Sequence, residues 1–480
     1  MDATGITASI VALLCGALIF RDINLRLRWR NVNLPGPPRY PLIGSLIVNA
    51  RDIMDMFKNQ SRFGTVSAFF PLNNPIVLTS DPEDFKRIFT TNIAPKGSTV
   101  ESLGQYLGPS GIVFLDHNGP EMTPWKTHRQ AIDQAFRVSS LRSFQHAIQK
   151  HAEDFVQRLE SQDGKEVDMV VEFRRIVLNI TSELVGAGDA PAEFLAAMTD
   201  LIWSLDSLLI RTHLSIGGIY LKWLKRRSFK IVDNFLNEAI RAKQAELARL
   251  TDEELLGRQS NNLLELLLLT GQFTPKQIRD HLVIFYLAGL DTAASLLPSA
   301  LFQIVQHPDV CRRAVAELGS VRSPLAYDDL KKLRYTTHCV EESLRMRGPI
   351  IVTARDLDRD YELACGQVVP SGTMLLAHLH AVHFSEEWWT EPQKYNPSRF
   401  DKEENGGVVE PKHPFAYVPF AAGPRICIGR NLFFSEALTL LHKTLTRLSF
   451  EIIDHPDNGV VLEGHGLSIP KMVKFRVMKR

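Results

Sequence analysis

Cys427 stands in Phe420-Ala421-Ala422-Gly423-Pro424-Arg425-Ile426-Cys427-Ile428-Gly429-Arg430-Asn431, and an amphipathic helical pattern follows at once. A cysteine in a glycine-bracketed loop just ahead of a helix has backbone N–H groups and a positive helix end to stabilise its thiolate. Such a sulfur is either a nucleophile or a metal ligand. The bland alternative is a buried, inert thiol. Gly423 and Gly429 let the main chain turn tightly and approach a cofactor closely. Arg425 adds a fixed cation suited to a carboxylate.

The second candidate is Ala288-Gly289-Leu290-Asp291-Thr292, which interrupts a run that is otherwise apolar nearly all round from Leu282 to Phe302. A buried Asp is costly unless it is paired, so Asp291 beside Thr292 marks a site or else a solvent-facing position. Gly289 removes a side chain where something flat could lie against the helix. The Thr292 hydroxyl can bond back to the carbonyl of Ala288 or Gly289, which loosens the helical ladder.

These residues need a large body to hold them. The chain has 480 residues, with 45% apolar and 23% charged, which fits a globular protein and excludes a disordered, collagen-like or polytopic membrane chain. With 55 Lys+Arg against 54 Asp+Glu, the net charge of +1 gives no basic field to hold nucleic acid. Five scattered cysteines make neither a disulfide framework nor a zinc module, and they fit a reducing compartment.

Thr274-Pro275-Lys276-Gln277 carries an N-cap, a first-turn proline and a capping-box Gln, so a central helix is expected from there to His307-Pro308. Helical periodicity also marks Leu141–Glu160, Asn234–Thr251 and Asn431–Leu445. Strand-like runs fall at Pro75–Thr79, Thr373–His378 and Lys474–Met478. The expected class is therefore mostly α with small β-sheets (α+β).

At the N-terminus, Ala3–Phe20 carries no charge and would reach roughly 27 Å as a helix, enough for a thin bilayer, the bland alternatives being a cleaved signal or an apolar first helix docked on the body. Arg21, Arg26, Arg28 and Arg30 follow it, which places the later chain on the cytoplasmic side. The expected organisation is a membrane anchor with its basic flank over 1–30, a proline-rich stiff hinge over 31–41 and one catalytic domain over 42–480. Leu214–Leu224, followed by Lys225-Arg226-Arg227, reads as a second interfacial contact or as an internal helix pair.

Phe420, Gly423, Arg425, Cys427 and Gly429 match every fixed position of the F-x-x-G-x-R-x-C-x-G loop of the cytochrome P-450 haem-thiolate monooxygenases, so the chain resembles that family. Ala288–Thr292 resembles the family's oxygen-binding groove. Glu342-Ser343-Leu344-Arg345 resembles its E-x-x-R helix. Pro397-Ser398-Arg399-Phe400 resembles P-E-R-F, with Ser398 in place of Glu. Trp125-Lys126-Thr127-His128-Arg129 is similar to the W-x-x-x-R helix that holds a haem propionate, and Arg355 resembles the second propionate Arg.

The resemblance implies the P-450 fold, a haem b whose axial ligand is Cys427, and a structural network of Glu342, Arg345 and Arg399. It implies cofactor contacts from Trp125, Arg129, Ala288, Gly289, Arg355, Phe420, Gly423, Arg425 and Gly429. Asp291 and Thr292 become the proton-delivering pair. The implied reaction inserts one oxygen atom from O2 into a lipophilic small molecule, with NADPH acting only through a separate cytochrome P-450 reductase and cytochrome b5 as a further partner. No flavin or dinucleotide fingerprint stands in the chain to replace that reductase. The implied home is the endoplasmic-reticulum membrane. By the same resemblance, Ala94–Asp116, the central helix, Ile350–Thr353 and His465-Gly466-Leu467 line the pocket.

Two other functions use the same residues: an isomerase or dehydratase of this fold that needs no O2, and a haem-binding carrier or sensor without turnover. A rival metal reading takes His378 and His380, on one face of a strand-like run, with His383 close after them, as a zinc site.

Overall fold

The computed structural model describes residues 3–45, 62–71, 73–91, 95–115, 123–211, 223–256, 258, 260, 262–408, 410–459, 461–464 and 467–480. Ala94, Asp116, His465, Gly466 and the part of the interfacial segment over 214–222 lie outside them.

The chain opens with helix α1 (Ala3–Arg28), then the short strands β1 (Arg39–Tyr40) and β2 (Gly44–Ser45), followed by β3 (Val66–Phe69) and β4 (Ile76–Thr79). Helices α2 (Gly97–Leu107), α3 (Thr123–Asp133) and α4 (Val138–Glu160) lead to strand β5 (Glu166–Asp168). Then come α5 (Met169–Val185), α6 (Ala192–Arg211), α7 (Arg226–Leu247) and α8 (Leu263–Leu269). The central helix α9 (Pro275–Gln306) is followed by α10 (Pro308–Ser320) and α11 (Arg334–Arg347). Strands β6 (Val352–Asp356), β7 (Tyr361–Glu362), β8 (Val368–Val369) and β9 (Met374–His378) precede the cysteine loop and α12 (Arg430–Arg447). The chain ends in β10 (Leu448–Ile452), β11 (Val461–Gly464), β12 (Leu467–Pro470) and β13 (Lys474–Lys479).

The expected helices and strands therefore stand where the periodicity put them, and the class is α+β with helix dominant. The capping box at Thr274 and Gln277 is formed, with both reciprocal bonds present. At 32 residues α9 runs roughly 48 Å. It is apolar enough to cross a membrane, but most of it is buried in protein, which makes it the core helix. Its widest packing is against α5, whose Ile176, Val177 and Ile180 belong to the same buried core.

A four-stranded sheet in the order β3-β4-β9-β6 forms a second layer, with β4 and β9 parallel and the other pairs antiparallel. A smaller hydrophobic cluster under it gathers Val77, Phe85, Phe89, Leu375 and Ala416. The cysteine loop lies between this cluster and the main core: Ala422 packs on the first, and Phe420 and Ile428 on the second.

The end of α1 belongs to the sheet layer as well. Leu25 and Trp29 are buried there, and Trp29 meets the Phe70 ring edge-on at 4.8 Å. The proline-rich segment that follows is tied down too. Ala68 N–H donates to the Pro35 carbonyl at 2.8 Å, and Asn33 N–H to Gln367 Oε1 at 2.8 Å. A Cβ on Gly36 would come within 1.9 Å of the Ala68 carbonyl oxygen, so only glycine lets the segment lie this close.

Candidate active site

The conformation of the cysteine loop is set by its backbone. Cys427 N–H donates to the Phe420 carbonyl at 3.0 Å and Ile426 N–H to that of Gly423 at 3.0 Å. Gly423 has φ +68, and a Cβ there would stand 2.0 Å from the Phe89 carbonyl oxygen, so this glycine is required twice over. Gly429 is different from the expectation of a tight turn. It caps α12 with φ −80, and a Cβ on it would lie 3.8 Å from Cys427 Sγ. What Gly429 supplies is clear space beside the sulfur.

Cys427 is accessible by surface area, yet the protein around it is dense enough to push its thiol up. The N–H groups of Gly429 and Arg430, with Arg129 and Lys96 at longer range, pull the other way without overcoming the burial. Both facts hold for a sulfur on the wall of an internal hollow. A free nucleophile would need the opposite balance, whereas a metal cation deprotonates a coordinating thiol outright.

The central helix is open in the same manner. Ala288 is exposed and Thr292 half-buried, although Ile284, Leu290 and Leu296 of the same helix are buried. Ala288 and Thr292 are one turn apart, so they lie on a single side of α9 that is less covered than the rest. Thr292 Oγ1 donates to the Ala288 carbonyl at 2.6 Å, the back-bond expected from the sequence. Asp291 is rotated about 100° away. It is buried, and Arg174 of α5 donates to its Oδ1 at 3.2 Å. Burial raises its carboxyl above the ordinary Asp value, and Arg174 opposes that rise. A solvent-facing Asp291 is thereby excluded. The carboxyl and the hydroxyl are neighbours in the chain with different bonding partners.

Gly289 corrects another expectation. A Cβ there would meet Thr181 Oγ1 of α5 at 3.3 Å, so its missing side chain serves the close approach of two helices rather than a flat ligand. Ala288 takes the exposed position.

The cationic residues converge on the loop. Arg425 lies over the Trp125 ring at 4.2 Å and donates to the carbonyls of Ile112 and Leu115. Arg129 donates to the Ile426 carbonyl at 3.0 Å and to Asp133 at 2.7 Å. Arg355, buried on β6, donates to the Ala354 carbonyl at 2.7 Å and stands 5.6 Å from the centre of the Phe89 ring, the residue against which Gly423 is pressed. Trp125, Arg129, Arg425 and Arg355 are therefore all linked to the segment that carries Cys427. A soft sulfur with bare space beside it, guanidinium groups for carboxylates and an open side of the core helix fit a haem with two propionates.

The network of Glu342, Arg345 and Arg399 is formed and fully buried. Glu410 completes it by accepting from Arg399 Nη1. Ser398, in the position of the usual Glu, donates to Glu404 at 2.8 Å.

The zinc reading fails. The strand ends at His378, and His380 and His383 lie in the helical turn Leu379–His383, so the two-residue alternation is broken. Among the described residues no group of three or more His, Cys, Asp or Glu could hold a metal ion. Burial depresses His378 and His383 to about 3 each, which keeps them neutral.

Arg174, Glu410 and Phe89 were invisible in the sequence. Each acts across a fold-dependent gap, 117 residues between Arg174 and Asp291, and no local pattern marks them.

A comparison with known families agrees with this geometry. The cytochrome P450 family model matches residues 34–474, and the chain belongs to that family of haem-thiolate monooxygenases. It is 29% identical to human cytochrome P450 4F11 over 66% of each chain. It is 30% identical to rat cytochrome P450 4F6 over 74% of this chain and 69% of that one. Similarity to the Drosophila melanogaster cytochrome P450 4d2, at 25% identity, spans 97% of this chain and 98% of the relative.

Proposed function

We propose that this protein oxidises a lipophilic small molecule, inserting one oxygen atom from O2 with electrons passed from NADPH by a separate reductase, and with cytochrome b5 as a second donor. The supporting observation is Cys427, whose sulfur is surrounded by protein yet uncovered, with Gly429 leaving space beside it. Bound haem supplies the O2 activation. The chain's residues do the rest. Cys427 would hold the haem iron, Arg129, Arg355 and Arg425 would hold the propionates, and Trp125 carries Arg425 on its ring face.

Thr292 Oγ1 can exchange its bond to the Ala288 carbonyl for water and hold a proton on the open side of α9. Asp291, its proton affinity raised by burial, recruits that proton when it leaves Arg174. The charge-free Ala3–Phe20 part of α1 spans the endoplasmic-reticulum membrane, with residues after Arg30 in the cytosol.

The test is the ferrous carbonyl spectrum together with turnover. Purified protein should show the red-shifted Soret band of a trans thiolate, and Cys427→Ser should lose both the band and product formation with NADPH and reductase. A variant that keeps the band has another ligand. Product formed without reductase or O2 would assign the isomerase or dehydratase branch.

A further inference from the structure

Arg279-Asp280-His281, on the first turns of α9, are three consecutive polar residues for which the oxygen chemistry has no use. Each takes part in holding the segment that follows α2. Arg279 Nη1 donates to the Leu107 carbonyl at 2.7 Å, at the C-terminal end of α2 where a cation is favoured. Asp280, buried, accepts from Ser110 N–H at 3.1 Å and from Arg279 at 3.0 Å. The segment comes this close because Gly108 and Gly111 have no side chains. A Cβ on the first would stand 2.7 Å from Asp280 Oδ1, and one on the second 2.5 Å from Ile284 Cγ1.

His281 acts through a second ring. Its Nε2 and His128 Nδ1 are 3.0 Å apart, and both side chains are buried. Burial depresses His281 to about 3, with the neighbouring ring adding to the effect, and burial lowers His128 as well. Both rings are therefore neutral, and each carries one N–H. His128 also hydrogen-bonds the Ser110 backbone, and because that bond favours the protonated ring, the Ser110 carbonyl is the acceptor. One N–H per ring then fixes the order. His128 uses its Nε2–H on Ser110, which makes its Nδ1 an acceptor, so His281 Nε2 is the donor to it. His281 Nδ1 is left as a buried acceptor with no hydrogen-bond partner among the described residues.

Ser110 is thus held at both of its backbone groups, the N–H from α9 and the carbonyl from α3. From there to Leu115 the chain is one bonded unit. Gly111 N–H donates to the Gly108 carbonyl at 3.0 Å, and Phe114 and Leu115 N–H donate to that of Gly111 at 2.8 and 3.2 Å. The Ile112 and Leu115 carbonyls of this unit accept from Arg425, two residues before Cys427. Helix α3 therefore reaches Arg425 twice, directly through the Trp125 ring at 4.2 Å and indirectly through His128 and Ser110.

We propose that His128 is a positioning residue for Arg425. Backed by His281 and faced by Asp280, it fixes Ser110 and so the two carbonyls that aim the guanidinium toward a haem propionate. Only that last step rests on the haem reading; the fixing of 107–115 does not.

The test uses the full-length, haem-loaded protein with His128→Phe, His128→Gln and His128→Asn. Phe keeps a ring among Phe273 and His281 but has no donor. Gln puts an amide N–H where Nε2 stood, facing Ser110, whereas Asn puts one where Nδ1 stood, facing His281. The readouts are amide hydrogen exchange of peptides within 107–115, with α12 peptides as reference, and the midpoint potential of the haem.

His128→Phe should speed exchange in 107–115 at least tenfold, leave α12 unchanged and lower the potential, because a fixed cation beside the haem favours its reduced state. His128→Gln should restore both and His128→Asn neither. Unchanged exchange in His128→Phe overturns the proposal, as does faster exchange in α12 as well, which would mark general loosening. Asn restoring as much as Gln would place the effect in the histidine pair and overturn the hold on Ser110. Faster exchange at an unchanged potential overturns the link to Arg425. A parent without the thiolate carbonyl band defeats the haem reading, and the exchange pattern of the same protein then still decides whether His128 fixes 107–115.

Discussion

Two buried carboxylate–guanidinium sites in this protein, at Glu342 and at Asp291, are built differently. At Glu342 the carboxylate accepts from Arg345 Nε at 2.7 Å and Nη2 at 2.9 Å, from Arg399 Nε at 3.0 Å and from Asn396 N–H at 2.9 Å. The spare donors of the two arginines reach the His383 and Thr390 carbonyls and Glu410. At Asp291 the contact is a single bond to Arg174, whose side chain is 23% exposed. A network with four donors on one carboxylate holds its charges in one arrangement, because no bond in it can leave cheaply. A pair with one bond and a wet partner can change state. The first site suits structure and the second suits proton handling.

That contrast is sharpest at Glu342. Glu342→Gln takes the shared carboxylate from Arg345 and Arg399 in a fully buried site, and removing one partner of a buried ion pair costs about 3–5 kcal/mol. We expect loss of folded, haem-loaded protein, read as the yield of the carbonyl spectrum. Normal yield with unchanged thermal stability would break the comparison.

Asp291→Asn is expected to keep the fold and to slow turnover by a factor on the order of 10² with reductase in excess, the usual scale of a lost acid–base group. Its pH signature has a definite sign. An unfolded Asp titrates near 3.8, and burial raises the native value above that. Between those two values the native state binds more protons, so this group makes stability decline as pH rises through the window. Asp291→Asn should remove that part of the slope in melting temperature against pH. A slope of opposite sign would mean that Arg174 outweighs burial. Thr292→Ala should act differently, letting NADPH consumption continue while more of it ends as hydrogen peroxide. Unchanged coupling would take Thr292 out of the mechanism.

What could be read from the sequence follows the range of the interactions. The cysteine loop was legible because its geometry comes from local backbone turns and glycines that must sit at fixed offsets. The capping box at Thr274 and the three-residue spacing of Glu342 and Arg345 are equally local. Gly289 was misread because the same missing side chain serves a flat ligand or a crossing helix, and only the placement of Thr181 decides. The docked end of α1 was only the lesser reading for a related reason: Leu25 and Trp29 continue an apolar pattern that a membrane helix and a packed helix share. Arg174 and Glu410 become partners only through the fold.

The smallest effect we predict tests whether Ser398 belongs to the four-donor network or only borders it. The family pattern has Glu at this position, so Ser398→Glu looks like a repair. Here, however, Ser398 Oγ donates to Glu404, and Glu404 is also paired with Arg313, which with the Ser398 bond holds its carboxyl down at about 2. A second carboxylate beside it would replace a donor with a like charge. The site is partly exposed, so we expect Ser398→Glu to destabilise by only about 0.5–1 kcal/mol in thermal or denaturant unfolding. Ser398→Ala separates the two causes. It loses the hydrogen bond without adding charge, so its cost should not change with pH between about 7 and 4. The repulsive part in Ser398→Glu should fade as the new carboxyl, with an ordinary value near 4.5, becomes protonated, bringing the two variants together at acid pH. If Ser398→Glu were instead more stable than the parent at neutral pH, the new carboxylate would have found Arg313 or Arg399. The boundary drawn between network and rim would then be misplaced.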